Sequence, residues 1–152
     1  MHLLKLIFDK LFMEIEVLKN NSIFERREEV SHFLVKHLEQ YGDPIEDIER
    51  CMNYAIEKGG VLITASKNKI IQGAVVINHT GMSGYIPENI LVYIAVSNSA
   101  RGEGLGKKLM EVAIQETKGD IALHVEKDNP ARFLYEKVGF TNPYLEMRYK
   151  RK

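Results

Sequence analysis

The chain predicts an α/β domain on a mixed sheet, and the order of its hydrophobic patterns carries that prediction. One strand pattern is followed by two amphipathic helix patterns and then three strands, after which helix, strand, helix and strand alternate. The two β-rich runs between Val61 and Ile77 read as an antiparallel pair. No linker and no internal repeat interrupts the 152 residues, a length that suits one domain burying roughly two-thirds of its unfolded surface.

Met13 to Lys19 opens the fold, with Met13, Ile15 and Val17 alternating against Glu14 and Glu16, the period of a half-buried strand. From Ser22 the spacing becomes helical, with Val30, Phe33, Leu34, His37, Leu38 and Tyr41 on one face up to Gly42. Pro44 opens a second helix through Lys58, stopped by Gly59-Gly60. Val61 to Ala65 and Ile70 to Ile77 are β-rich runs joined by Ser66 to Lys69, a connection suited to a hairpin. Residues 79 to 89 hold Gly81, Gly84 and Pro87 and read as a loop. Ile90 to Val96 is almost wholly apolar and predicts a strand buried on both faces. Leu105 to Thr117 predicts a helix, Ile121 to Glu126 a strand, Pro130 to Val138 a helix and Tyr144 to Lys150 a last strand.

Composition narrows the function classes. Lys and Arg number 21 against 21 Asp and Glu, so the basic excess of a phosphate-neutralising nucleic-acid binder is missing and that partner is not expected. Cys51 is the single cysteine, which excludes an internal disulfide and a Cys-rich metal site and suits the reducing cytoplasm. Residues 1 to 12 are apolar in part, but Lys5, Asp9 and Lys10 interrupt them. That stretch is too short and too charged to span a bilayer. It reads as an amphipathic extension of residues 1–12 ahead of a domain over 13–152, with no membrane partner expected.

The strongest local signal is Arg101-Gly102-Glu103-Gly104-Leu105-Gly106, set between a strand and an amphipathic helix. Glycines there let backbone amides approach a ligand, and the positive end of the helix dipole behind them favours an anion such as a pyrophosphate. Arg101, Lys107 and Lys108 add positive charge. A nucleoside-triphosphate P-loop needs Ser or Thr after its lysine, whereas Gly106 is followed by Lys107 and Lys108. A dinucleotide fold would place G-x-G-x-x-G directly after the strand. Here Ser97 to Arg101 intervene and the spacing is G-x-G-x-G, although Glu126 stands where a ribose-binding acid could lie.

The third reading is a resemblance. Val96, Asn98, Arg101, Gly104 and Gly106 resemble the V-x-P-x-x-[RQ]-x-x-G-x-[GA] block of the GNAT N-acetyltransferase superfamily, with Asn98 in place of its proline. Asn129, Tyr135, Gly139 and Phe140 resemble the superfamily's second block, N-x-x-A-x-x-x-Y-x-x-x-G-F, with Arg132 in place of its small residue, or with Ala131 as that residue in the variant N-x-A-x-x-x-Y. The resemblance implies a central mixed sheet of six or seven strands flanked by about four helices, the GNAT-like acyl-CoA N-acyltransferase fold. It implies acetyl-CoA as co-substrate, an amine acceptor, no metal, and an enzyme of the acyltransferase class that can form a homodimer. By residue, it implies pantetheine pairing along Ile94, Ala95 and Val96, and a pyrophosphate cradle over Gly102, Glu103, Gly104, Leu105, Gly106 and Lys107 beside Arg101. Asn129 and Ala131 would steady the pantetheine.

Tyr135 matches the position from which a phenol protonates the departing thiolate; its other reading is an aromatic packed on the inner face of a helix. The attacking amine must also lose a proton, directly or through water. His124 and Glu126 alternate onto one face of their predicted strand and are the candidate bases, with Glu88 behind them. Cys51 lies on a helix's apolar face without a neighbouring histidine and reads as core rather than nucleophile. Acidic residues at Asp43, Glu46, Asp47, Glu49 and Glu57 suit a cationic acceptor, although a solvated helix face is the plainer reading of them. A non-catalytic acyl-CoA sensor is the alternative from another class.

Overall fold

The computed structural model describes residues 2–8 and 11–152, with side chains described from Met13 onward. Strands β1 (His2–Phe8), β2 (Leu11–Leu18), β3 (Gly60–Lys67), β4 (Ile70–His79), β5 (Asn89–Val96) and β6 (Ile121–Leu123) form one six-stranded sheet in chain order. Every neighbouring pair is antiparallel except β5 with β6, which is parallel. Helices α1 (Asn21–Phe24), α2 (Arg27–Leu38) and α3 (Ile45–Glu57) come between β2 and β3, α4 (Leu105–Gln115) joins β5 to β6, and α5 (Ala131–Lys137) follows β6.

Period-two side chains sort the core into two layers. Ile15, Val17, Val61, Ile63, Val75 and Ile77 meet Leu109, Met110 and Ala113 of α4 and Tyr135 of α5 on one face. Leu18, Leu62, Ala74 and Val76 meet Ile23, Val30, Leu34, Ile48 and Met52 of the first three helices on the other. The β3–β4 hairpin turns on Asn68 and Lys69, both at positive φ (51° and 66°), the mark of the type I′ connection whose twist matches that of the strands.

Several boundaries differ from the sequence-based expectation. The first expected helix is three pieces, because α1 and α2 are separate and Glu39 at φ 55° ends α2 before a 3-10 turn over Glu39–Tyr41. The apolar side chains on which the extension reading of residues 1–12 rested lie outside the described residues; in backbone terms His2–Phe8 is a strand paired with β2. β5 is not buried on both faces. Its residues alternate between buried and half-buried, because only one short strand and open space lie beyond it. β6 stops at Leu123 instead of Glu126, and residues 144–150 form no strand at all. A strand is defined by a partner as much as by its own pattern, and these segments have the pattern without the pairing.

One irregularity shapes β5. Its pairing with β4 steps from Val76↔Tyr93 to Ile77↔Leu91, leaving Val92 as the extra residue of a bulge. The single inserted residue changes which side chains face which layer. Leu91 joins the α4 layer, while Tyr93 and Ala95 join the layer of the first helices.

Candidate active site

A slot opens beside β5. Asn89, Ile90 and Leu91 pair with Ile121, Ala122 and Leu123, and the bulge follows at once. Bulges bend and twist a strand, so β5 leaves β6 at this point. Over residues 92–96 the edge of β5 that faces away from β4 carries no strand, although the β4 side stays paired to Val96.

The glycine-rich turn stands at the open end of that slot. Ser97 N–H donates to the Gln72 carbonyl at 2.8 Å and closes β5, and the 3-10 turn Asn98–Ala100 is anchored by buried Ala100. Gly104 caps α4 at φ +82°, a left-handed conformation that side chains disfavour, and nothing lies within 4 Å of where its Cβ would stand. The first helical bond of α4 runs from Lys108 N–H to Gly104 O at 3.1 Å. The amides of Leu105, Gly106 and Lys107 therefore precede the helix's own ladder, where a dipole favours an anion. Gly106 sits against α5, with 3.1 Å between an added Cβ and Leu134 Cδ2. Glu103 is exposed, and Lys107 pairs with Glu111 at 3.9 Å.

Arg101 faces another way. Its Nε donates to Val96 O at 3.2 Å, one terminal nitrogen to His37 O at 3.1 Å, and the other meets Glu39 at 3.4 Å. Its fork ties the end of β5 to the end of α2 behind the glycine turn.

On the β6 side, Asn129 Oδ1 accepts the Ala131 N–H at 2.9 Å and starts α5, which leaves its amide NH₂ as the group for a ligand. Tyr135 is 7% exposed in the α4 layer, its ring 6.1 Å from that of Phe140. Burial pushes its phenol up to about 12, so it keeps its proton throughout the neutral range. His124 and Glu126 lie past the end of β6 and are exposed, while Val125 between them packs inward. Glu88 is at the far end of β5, accepting N–H bonds from Asp120 (2.6 Å) and Gly84 (3.3 Å), which hold its carboxyl below the ordinary range. It clasps a loop away from the glycine turn.

The connection from α2 to α3 is bonded both to β5 and to the segment beyond β6. Tyr41 Oη donates to Asp128 O at 3.3 Å beyond β6, and Tyr93 Oη donates to Asp43 Oδ2 at 2.6 Å from β5. Burial first, and then the Asp43 carboxylate, raise the Tyr93 phenol, so this donor holds its proton against Asp43. Tyr93 is legible in sequence only as one more residue of an apolar strand; the bulge turns it to this face. Cys51 is buried nearby with Asn78 Nδ2 at 3.4 Å, and desolvation pushes its thiol up to about 12. Such a thiol is no nucleophile at neutral pH. Among the described residues no helix is long and apolar enough to cross a membrane.

Residues 57–142 match the family model of the GNAT acetyltransferase domain. Over 57 residues the chain is 44% identical to the 5-NmdU N-acetyltransferase of Pseudomonas phage PaMx11, a match over 36% of this chain and 41% of that protein. The chain thus aligns with about two-fifths of that relative's length. The fold is similar to the aminoglycoside N-acetyltransferase AAC(6')-Iy in complex with CoA, with a TM-score of 0.70 at 16% identity over 97% of this chain and 99% of that one. It is also similar to a ribosomal-protein-alanine N-acetyltransferase from Brucella melitensis biovar Abortus 2308, with a TM-score of 0.64 at 16% identity over 91% and 99%.

Proposed function

The chain belongs to the GNAT acetyltransferase family, and from that premise we propose that it transfers the acetyl group of acetyl-CoA directly to a primary amine. One observation carries the reading: the unpaired edge of β5 over residues 92–96 runs into the glycine turn that begins α4. An extended pantetheine arm needs such an edge, and its pyrophosphate needs amides at a helix start. The turn follows that edge in the chain, and nothing lies within 4 Å of where a Gly104 Cβ would stand.

In this reading Ile94, Ala95 and Val96 offer backbone groups to the arm and to the thioester carbonyl oxygen. The amides from Gly102 to Lys107 hold the pyrophosphate, while Arg101 stiffens the turn from behind through Val96, His37 and Glu39. Asn129 steadies the pantetheine with its NH₂ beside Ala131. Acetyl-CoA supplies an activated acyl carbon and a thiolate leaving group. The amine nitrogen forms a bond to that carbon as the carbon–sulfur bond breaks, one proton leaves the amine, and one goes to sulfur. Tyr135 is the donor to sulfur, since its buried phenol stays protonated. His124 and Glu126, exposed beside the slot, take the amine proton through water.

The acceptor class is a cationic amine of a small molecule or peptide. Asp43, held by Tyr93, is a carboxylate fixed at the mouth of the slot, where it attracts an ammonium group. The N-acetyltransferase name of the phage relative supports nitrogen as the acceptor atom. We assign the activity to one domain, whose sheet takes in β1 as well as the expected residues 13–152, able to pair as a homodimer. The single buried thiol suits the reducing cytoplasm.

The test is release of free thiol from acetyl-CoA across a panel of amines, read beside a melting scan with CoA. A positive melt shift with thiol release is expected. A melt shift without thiol release over the blank would mean a non-catalytic acyl-CoA sensor.

A further inference from the structure

Arg101 stands first in the glycine-rich run, yet its side chain is engaged elsewhere. Its backbone N–H donates to Asn98 O at 3.4 Å, and of its side-chain nitrogens only Nε stays within the loop, on Val96 O at 3.2 Å. The two terminal nitrogens leave the loop for the end of α2, one meeting Glu39 Oε1 at 3.4 Å and the other donating to His37 O at 3.1 Å. An arginine that holds a phosphate turns its fork to the anion. Here both terminal nitrogens have partners, 62 and 64 residues away in the chain.

Those partners begin the segment that carries Asp43. His37 O is one of the last carbonyls of α2, which have no partner within the helix, and a cation is favoured at a helix C-terminus. Glu39 follows at φ 55° and ψ −130°, a conformation that side chains disfavour and that persists where the surroundings hold it. Its carboxylate is held by Arg101. Further along, Tyr41 Oη donates to Asp128 O at 3.3 Å, and Asp43 Oδ2 accepts from Tyr93 Oη at 2.6 Å. Residues 37–43 are thus fixed at their start by Arg101 and at their end by Tyr93.

The geometry assigns Arg101 to the acceptor side of the reaction: it is a positioning residue that sets where segment 37–43 places the Asp43 carboxylate, and it is not a ligand of the CoA phosphates. The inference rests on the acyl-transfer reading, in which Asp43 attracts the acceptor ammonium. The resemblance of the glycine run sets this arginine beside the phosphates, whereas its own bonds set it against α2. Position and stability separate here. The Arg101 and Glu39 side chains are 47 and 45% exposed, and an ion pair that open adds little to folding. Misplacing a positioning group by about 1 Å, by contrast, can cost on the order of 10²-fold in rate.

The test uses the full chain, acetyl-CoA and the amine that gives the fastest thiol release. Arg101→Gln should raise the acceptor KM by about 10-fold or more, while the CoA dissociation constant by calorimetry changes less than about threefold and the melting midpoint stays nearly unmoved. Glu39→Gln, which leaves Arg101 its bonds to Val96 and His37, should raise the same KM by a smaller factor. Asp43→Asn should raise it too, and Arg101→Gln added to Asp43→Asn should add little, because Arg101 acts through that carboxylate. Arg101→Lys keeps the charge and loses the fork, so its acceptor KM should stay raised. A phosphate role gives the opposite pattern, in which Arg101→Gln weakens CoA by about 10-fold, Arg101→Lys restores it and the acceptor KM is unmoved; that result would overturn the inference. A lower melting midpoint with both constants unchanged would overturn it as well, as the mark of a purely structural tie. If Arg101→Gln fails to fold, Glu39→Gln decides, and an unchanged acceptor KM there overturns the inference. Without thiol release over the blank for any amine the acyl-transfer reading itself falls and takes the inference with it. Release with an acceptor KM unchanged in the variants removes the role of Arg101 alone.

Discussion

The two edges of β5 differ as much as any two regions of this protein. Toward β4 the strand is paired from Asn89 to Val96 with a single bulge; toward β6 it is paired for three residues and then left open. The closed edge is where backbone groups are satisfied internally and stability is made. The open edge keeps its hydrogen-bonding capacity for a ligand. One inserted residue, Val92, separates the two behaviours by bending the strand away from β6 and turning Tyr93 toward Asp43.

The largest expected effect is on the open side. Gly104→Val should remove the CoA-induced melt shift, because a branched side chain would fill the space where phosphate meets the amides. The left-handed backbone adds about 1–2 kcal/mol of strain. Gly81→Val provides the control, since Gly81 has a similar φ of +76° and equally open space in a distant loop. It should show the strain and keep the shift. Loss of the shift in both variants would place the cradle elsewhere.

Next comes the proton donor. Tyr135→Phe should lower kcat by about 10²-fold to 10⁴-fold with little change in CoA affinity, the signature of a lost acid. The same ring packs in the α4 layer, so a structural role predicts a lower melting midpoint and an unchanged kcat. Rates and melts on one preparation separate the two.

The closed side responds in stability alone. Ile77 is fully buried opposite Leu91, and Ile77→Ala should cost about 2–5 kcal/mol in urea unfolding while CoA affinity of the folded protein is retained. A large loss of affinity would show that the two edges are not separable.

The smallest effect concerns alkaline pH. Folding raises the Cys51 thiol from 9.0 to about 12, so its contribution to stability is whole below pH 9 and is lost as pH rises from 9 toward 12. Urea midpoints at pH 8 and pH 10.5 should therefore fall less in Cys51→Ala than in the unaltered protein. Equal falls would mean that Cys51 is not the group being titrated.

Much of this was legible before any coordinates. The alternation at Met13 to Val17, the helical spacing from Ile45 to Glu57 and the glycine run before Leu105 each report a local period or a local backbone need. Those are properties of neighbours in sequence. The two missing strand segments share one cause. The pattern extends a strand to Glu126 and predicts another over Tyr144 to Lys150, yet both segments lack the second strand that would make them so.

By itself the sequence determined the mixed α/β order, the two sides of the core and the placement of a glycine turn at a helix start, because side-chain period and backbone sterics act over a few residues. Only the tertiary structure decided that β5 parts from β6 after Leu91, that Arg101 binds α2 rather than facing the glycine turn, and that Tyr93 meets Asp43. Each depends on groups tens of residues apart being brought together by the sheet, and no local period encodes that distance.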